Sequence, residues 1–171
     1  CEVYLDSEDV EEKNENDVWI SGADIQGGLI GRCNNKKDDE SVANISNSFA
    51  ATVMEGNRKN STVGGLVGQA AGGISITKCY ADSYLSGKTT GGLVAEVYGA
   101  GTVNINFCYT AGYQNAASTA GGFVAIATAT NATMTNGYTV MAYLAEQNSE
   151  ENPTIYSVGR GTTTKVYYLN K

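Results

Sequence analysis

Four cysteines, 11 tyrosines and no histidine bound the chemistry that the side chains of this chain can do. The lack of imidazole removes the commonest general base and metal ligand, and with it every Ser-His-Asp triad and every H-E-x-x-H zinc site. Carboxylates are left. Cleavage of a polysaccharide needs two of them close together on one face, and Glu55, Asp82 and Glu96 fall at different phases of the pattern described below. A β-helix enzyme is therefore the remote reading, and a non-catalytic chain without a cofactor the expected one. Residues Asp6, Glu8, Asp9, Glu11, Glu12, Glu15 and Asp17 stand against Lys13 alone. Such a stretch reads as a solvated excursion, with calcium held by oxygen ligands as the alternative. Its spacing does not follow the D-x-[DN]-x-[DN]-G loop, so no ligands are assigned.

The tyrosines and cysteines are ordered. Tyr80, Tyr109, Tyr138 and Tyr167 follow one another at steps of 29 residues, with Phe49 ahead of them, and Tyr84 and Tyr113 repeat the step four positions later. Cys79 and Cys108 share one phase directly before two of these tyrosines. If each step is one coil of a stack, the two cysteines are neighbours at the strand spacing of about 4.8 Å, a separation that suits either a disulfide or a ladder of free, inward-facing thiols. The free ladder is the expectation. Cys33 lies beside a polar stretch, and Cys1 is either a lipid-modified first residue or a boundary of the chain. Stacked aromatics stabilise successive coils by packing; the functional alternative is a stripe that touches glycan rings or a partner protein.

What positions these residues is a second recurring word. Thr62 to Gly68 reads T-V-G-G-L-V-G, and variants recur at Gly27–Gly31, Gly91–Ala95 and Gly121–Ala125. Gly28, Gly65, Gly92 and Gly122 are the structural turn glycines of these words, supplying positive φ or a close backbone approach, and the apolar residues after them supply a strand. A coil of 29 residues holds about three short strands with turns between them. Such a coil cannot bury its own apolar face and must stack on a copy of itself. The expected fold is all-β: a right-handed parallel β-solenoid of about five coils, handed as parallel crossovers are.

At 171 residues and 42% apolar content the chain carries one core, hence one domain. Residues 1–24 read as an irregular acidic first coil containing Trp19, 25–140 as the regular repeats, and 141–171 as an atypical last coil in which Ile155 to Gly159 stand in for the missing Gly-Gly word. Arg32 to Ser41 reads as an insertion loop. Val3-Tyr4-Leu5 and Val166-Tyr167-Tyr168-Leu169 look alike, which suggests the same coil phase at both ends. The net charge of -7 offers no basic stripe to nucleic acid, and no apolar run is long enough for a transmembrane segment.

The alternation of Gly-Gly-Leu-Val-Gly with Lys78-Cys79-Tyr80-Ala81 or Phe107-Cys108-Tyr109-Thr110, separated by a turn such as Ser86-Gly87, resembles the GLUG repeat of large bacterial extracellular and cell-surface proteins. The likeness is strongest at Val63–Gly68 and Ile76–Ala95 and covers about residues 25 to 140, with Ala95 and Ala125 in place of the last glycine, Phe123 in place of leucine, and Ser48 and Gly137 in place of cysteine. It implies an extracellular or bacterial cell-surface solenoid and no catalytic residues. Two functions follow as expectations: an adhesin-like or stalk module that contacts surface glycan or protein, and a filament subunit that self-associates end to end.

Overall fold

The computed structural model describes residues 2–3, 19–34, 42–99, 102–127, 132–144, 154–156, 158–159 and 161–169. Among them all regular structure is β-strand, every strand pair is parallel, and no helix is long and apolar enough to cross a membrane. The chain winds as a parallel β-solenoid of about four coils. That is one fewer than the sequence suggests. Among the described residues the glycine-bearing side closes as a sheet of 4 strands, Ile30–Asn34, Val67–Ala71, Val94–Tyr98 and Val124–Ala127, to which the last coil adds a bridge between Val124 and Gly159.

One coil shows how the sequence sets the path. Val67–Ala71 lies on the glycine side; the chain turns at Gly72, runs Gly73–Thr77 along a second side, turns at Lys78, and continues as Tyr80–Gly91 along a third. Gly91-Gly92 then lead back to the first side at Val94. Along the third side the burial alternates as a strand requires: Ala81, Ser83 and Leu85 point inward, and Tyr80, Asp82 and Tyr84 outward. On the second side Ile74 and Ile76 point in, and Ser75 and Thr77 out. Registers repeat this coil by coil, with Tyr80 beside Tyr109 and Phe49, and Ile76 beside Ile105 and Ile45.

Two cores result. The larger stacks Leu66, Leu93 and Phe123 against Ile74, Ile76, Ile105 and Met134, and the smaller holds Met54, Val63, Leu85 and Met141. Each fully buried side chain of this size contributes roughly 1.5–3 kcal/mol. The interior also carries polar pairs that satisfy one another. Thr110 Oγ1 donates to Gly122 O at 2.8 Å and accepts from Thr139 Oγ1 at 2.7 Å, and Gln114 accepts from Thr90 and donates to Gly121 O.

Differences in coil length fall at two places, between the glycine side and the second side and along the third side. Tyr109–Gly121 has one residue more than Tyr80–Gly91, and the register absorbs it as a bulge beyond Gly87, leaving the ladder on both sides intact. The coil below carries instead a turn at Asn57–Asn60. Arg32 to Asn34, expected in the insertion loop, are strand: Arg32 pairs with Gln69 and Cys33 with Ala70. A ladder is made by backbone groups and accepts polar side chains on its outward face, where Arg32 donates to Gln69 Oε1 at 3.1 and 2.8 Å. The stand-in for the last Gly-Gly word keeps its phase, with Tyr156 beside Gly121 and Phe123 N bonded to Val158 O. The likeness of the chain's two ends does not fix the phase. Glu2, two residues before Tyr4, is the register partner of Phe49, whereas Tyr167 pairs with Tyr138. Tyr4 itself and the acidic stretch from Asp6 to Asp17, with its calcium reading, lie outside the described residues.

Candidate functional site: an aromatic face and a buried thiol pair

The tyrosine side offers the most distinctive surface. Because the register puts one ring per coil at the strand spacing, the rings meet face to face. Centroids are 4.7 Å apart from Phe49 to Tyr80, 4.6 Å from Tyr80 to Tyr109 and 5.1 Å from Tyr109 to Tyr138, all within 4° of parallel. Tyr167 follows in register and is 68% exposed. This order has a chemical consequence: the faces of the inner rings are taken by one another, so only edges and hydroxyls are left for a ligand. Desolvation, then the nearby Tyr80, Tyr138 and Asp82, push the Tyr109 hydroxyl above the usual range.

Four residues along, Val53, Tyr84, Tyr113 and Ala142 form a second rank in register. Tyr84 is half-buried and Tyr113 exposed. Between the ranks lies a floor of Ala51, Asp82, Ala111 and Val140. The Asp82 carboxyl is raised by desolvation, and its lateral neighbours are alanines. Glu55, beside Ser86, stands four residues farther along, or roughly 13 Å at the rise of a strand. Glu96 lies on the glycine side and accepts from Gln69 Nε2 at 2.5 Å. The carboxylates named in the sequence are thus spread over two sides, and among the described residues no three of the metal-ligating types cluster.

The second side, which the sequence reading passed over, presents two outward ranks of small polar residues: Asn44, Ser75, Asn104, Thr133 and Thr162, with Ser46, Thr77, Asn106, Thr135 and Thr164 beside them. Some bond across coils, as Thr135 Oγ1 does to Asn106 Oδ1 at 2.9 Å. Their signal in the sequence is a polar residue at every second position, as in Ile74-Ser75-Ile76-Thr77 and Val103-Asn104-Ile105-Asn106.

Cys79 and Cys108 occupy equivalent inward corners. Each follows a residue in the left-handed region, Lys78 at φ 54 and Phe107 at φ 53, and each is 2% exposed. Tyr109 N donates to Cys79 O at 3.2 Å, which ties the two corners together. Neither thiol is in a disulfide, and Cys33 is half-buried. Cys79 Sγ donates to Thr77 O at 3.3 Å and Cys108 Sγ to Asn106 O at 3.3 Å. The neighbouring Cys108 thiol lowers the pKa of Cys79 to about 7, and the same contact together with burial drives that of Cys108 well upward. Asn47, Asn136 and Lys165 hold the same left-handed corner in the other coils. Asparagine at Asn47 and Asn136 is a side chain suited to this backbone, whereas Lys78, Phe107 and Lys165 gave no signal of it.

The Gly-Gly words serve close approach. A Cβ on Gly65 would stand 2.0 Å from Gly92 O, and one on Gly92 would stand 1.9 Å from Gly122 O; Gly28 meets Gly65 O in the same way. None of these has a positive φ. Residues 59–83, which hold one Gly-Gly-Leu-Val-Gly word, the strand after it and the Cys79-Tyr80 corner, match the family model of the GLUG motif. Neither a curated protein nor a solved structure matches the chain. The chain is a parallel β-solenoid that carries the GLUG motif.

Proposed function

We propose that this chain is a non-catalytic module of a bacterial extracellular or cell-surface protein, an adhesin-like or stalk element whose rigid coils hold a contact surface for glycan or protein. The observation that carries the reading is the division of labour on the tyrosine side. The first aromatic rank spends its ring faces on its own stacking, while the second, Tyr84 and Tyr113, stands out over a floor of small residues. Contact with a partner therefore belongs to Tyr84, Tyr113 and Asp82, and the first rank is scaffold. The test is binding of the purified chain to arrayed glycans and to cell-surface protein extracts, with the double variant Tyr84→Ala/Tyr113→Ala beside it. Saturable binding weakened at least tenfold in the double variant, with unchanged circular dichroism, is the expected result. Binding that the double variant keeps in full removes the tyrosine contact.

A second reading, end-to-end self-association into a filament, draws support from the exposed apolar side chains of the last coil: Ile155, Tyr167, Tyr168 and Leu169. Among the described residues the strand Thr162–Tyr168 pairs on one side only, and an unpaired strand edge is a template for a further strand. The phase of Glu2 beside Phe49 weighs against continuation of the tyrosine ladder from one copy to the next. Light scattering over a range of concentrations separates the readings, since a particle that stays at 17.9 kDa is incompatible with the filament.

A further inference from the structure

We propose that Cys79 and Cys108 form a redox-controlled staple, a disulfide that joins two consecutive coils when a small-molecule disulfide is present and opens again under reductant. The Cα spacing of the two corners suits the product. The corners are equivalent in backbone conformation, and the flanking pairs Thr77 beside Asn106 and Tyr80 beside Tyr109 hold them in register. Neighbouring parallel strands stand about 4.8 Å apart, inside the Cα window of roughly 4.4–6.8 Å that a disulfide spans. The Cys108 sulfur also leans toward the coil of its partner, donating to Ile76 O at 3.5 Å.

Loss of the two S–H donors leaves the corner carbonyls satisfied. Thr77 O still accepts from Asn47 N at 3.1 Å, and Asn106 O from Lys78 N at 3.0 Å. Oxidation therefore strands neither of these groups, and the corner gives up nothing that the ladder needs. In the other coils Ser48 and Gly137 hold the cysteine phase, so the staple is confined to this one pair of coils.

The step balances as an exchange. The Cys79 thiolate attacks one sulfur of the small disulfide and releases one small thiol; the Cys108 thiolate then attacks the Cys79 sulfur of the mixed disulfide and releases the second. Two protons and two electrons leave the protein, and one S–S bond is exchanged for another. The mirror sequence, with Cys108 attacking first and Cys79 resolving, gives the same product. Because both are buried, the exchange waits on local opening of the corner, and it is faster during folding.

The test treats the whole chain with oxidised glutathione, both native and during refolding, followed by trypsin digestion without reduction and mass spectrometry. Cleavage after Lys78, Lys88 and Arg160 puts Cys79 in peptide 79–88 and Cys108 in peptide 89–160. The expected product is these two peptides joined, lighter by two hydrogens, with an unfolding midpoint that rises on oxidation and falls again under dithiothreitol. In Cys108→Ser, which the hydroxyl of Ser48 at the same corner shows to be a compatible side chain, Cys79 should stop at the glutathione adduct. Free thiols or separate glutathione adducts on both cysteines of the refolded wild-type chain would overturn the staple.

Discussion

Substitution of Gly92 by alanine tests whether coil spacing or backbone freedom is what the Gly-Gly words supply. The new Cβ would lie 1.9 Å from Gly122 O and 2.9 Å from Thr110 Cγ2, and the first of these is backbone that cannot rotate away. The coils must therefore part at this corner. Three ladder bonds cross there, Gly92 N to Gly121 O at 2.9 Å, Leu93 N to Phe123 O at 3.0 Å and Val94 N to Phe123 O at 2.9 Å. Loss of most of them at about 1 kcal/mol each, with about 1–3 kcal/mol for overpacking, gives a destabilisation of about 3–5 kcal/mol. That is a third or more of the stability of an ordinary domain. Gly31→Ala is the matched control, since its Cβ meets only Ile25 O at 3.4 Å and the equivalent phase already holds Ala95 and Ala125; its effect should stay within about 0.5 kcal/mol. Urea unfolding followed by circular dichroism reads both. Gly92→Ala should lower the midpoint by roughly 1–2 M and divide the transition in two, because coils coupled only to their neighbours come apart where the coupling is cut. A loss under about 1 kcal/mol for Gly92→Ala, or an equal loss for Gly31→Ala, would refute the close-approach argument.

Two further predictions concern other parts of the coil. Phe107 is 57% exposed and sits at φ 53, a conformation costly for a bulky residue, while Asn47 and Asn136 hold the same corner elsewhere; Phe107→Asn should stabilise the chain by about 0.5–1 kcal/mol, and calorimetry showing a lower melting temperature would contradict this. Burial pushes the Tyr143 hydroxyl up to about 12 from an ordinary 10, so its contribution to stability is complete below pH 10 and is lost as pH rises from there through about 12. Tyr143→Phe gives up the bond to Tyr156 O at 3.3 Å and has no hydroxyl to titrate, so only the wild type weakens in alkali and the stability gap between wild type and variant should narrow from pH 8 to pH 11. A gap that stays constant would place the titration elsewhere.

The sequence by itself determined the coil. A constant step of 29 residues in tyrosine and cysteine, beside the recurring Gly-Gly words, can be satisfied only by stacking copies, and strand alternation then decides which residues face in. The stacked rings of Tyr80, Tyr109 and Tyr138 follow from that step and the strand spacing alone. Tertiary structure decided what the step leaves open. Polar Arg32 to Asn34 joined the ladder because the neighbouring strand offered backbone partners to side chains that read as loop. The number of complete coils and the phase of Glu2 were set by which end segments found a partner, a matter of register that a short likeness such as Val3-Tyr4-Leu5 does not encode. The left-handed corners at Lys78 and Phe107 carry no glycine to announce them, since the cost of that conformation is met by the ladder on either side. The floor between the two tyrosine ranks likewise exists only once Ala51, Asp82 and Ala111 from three different coils are laid side by side.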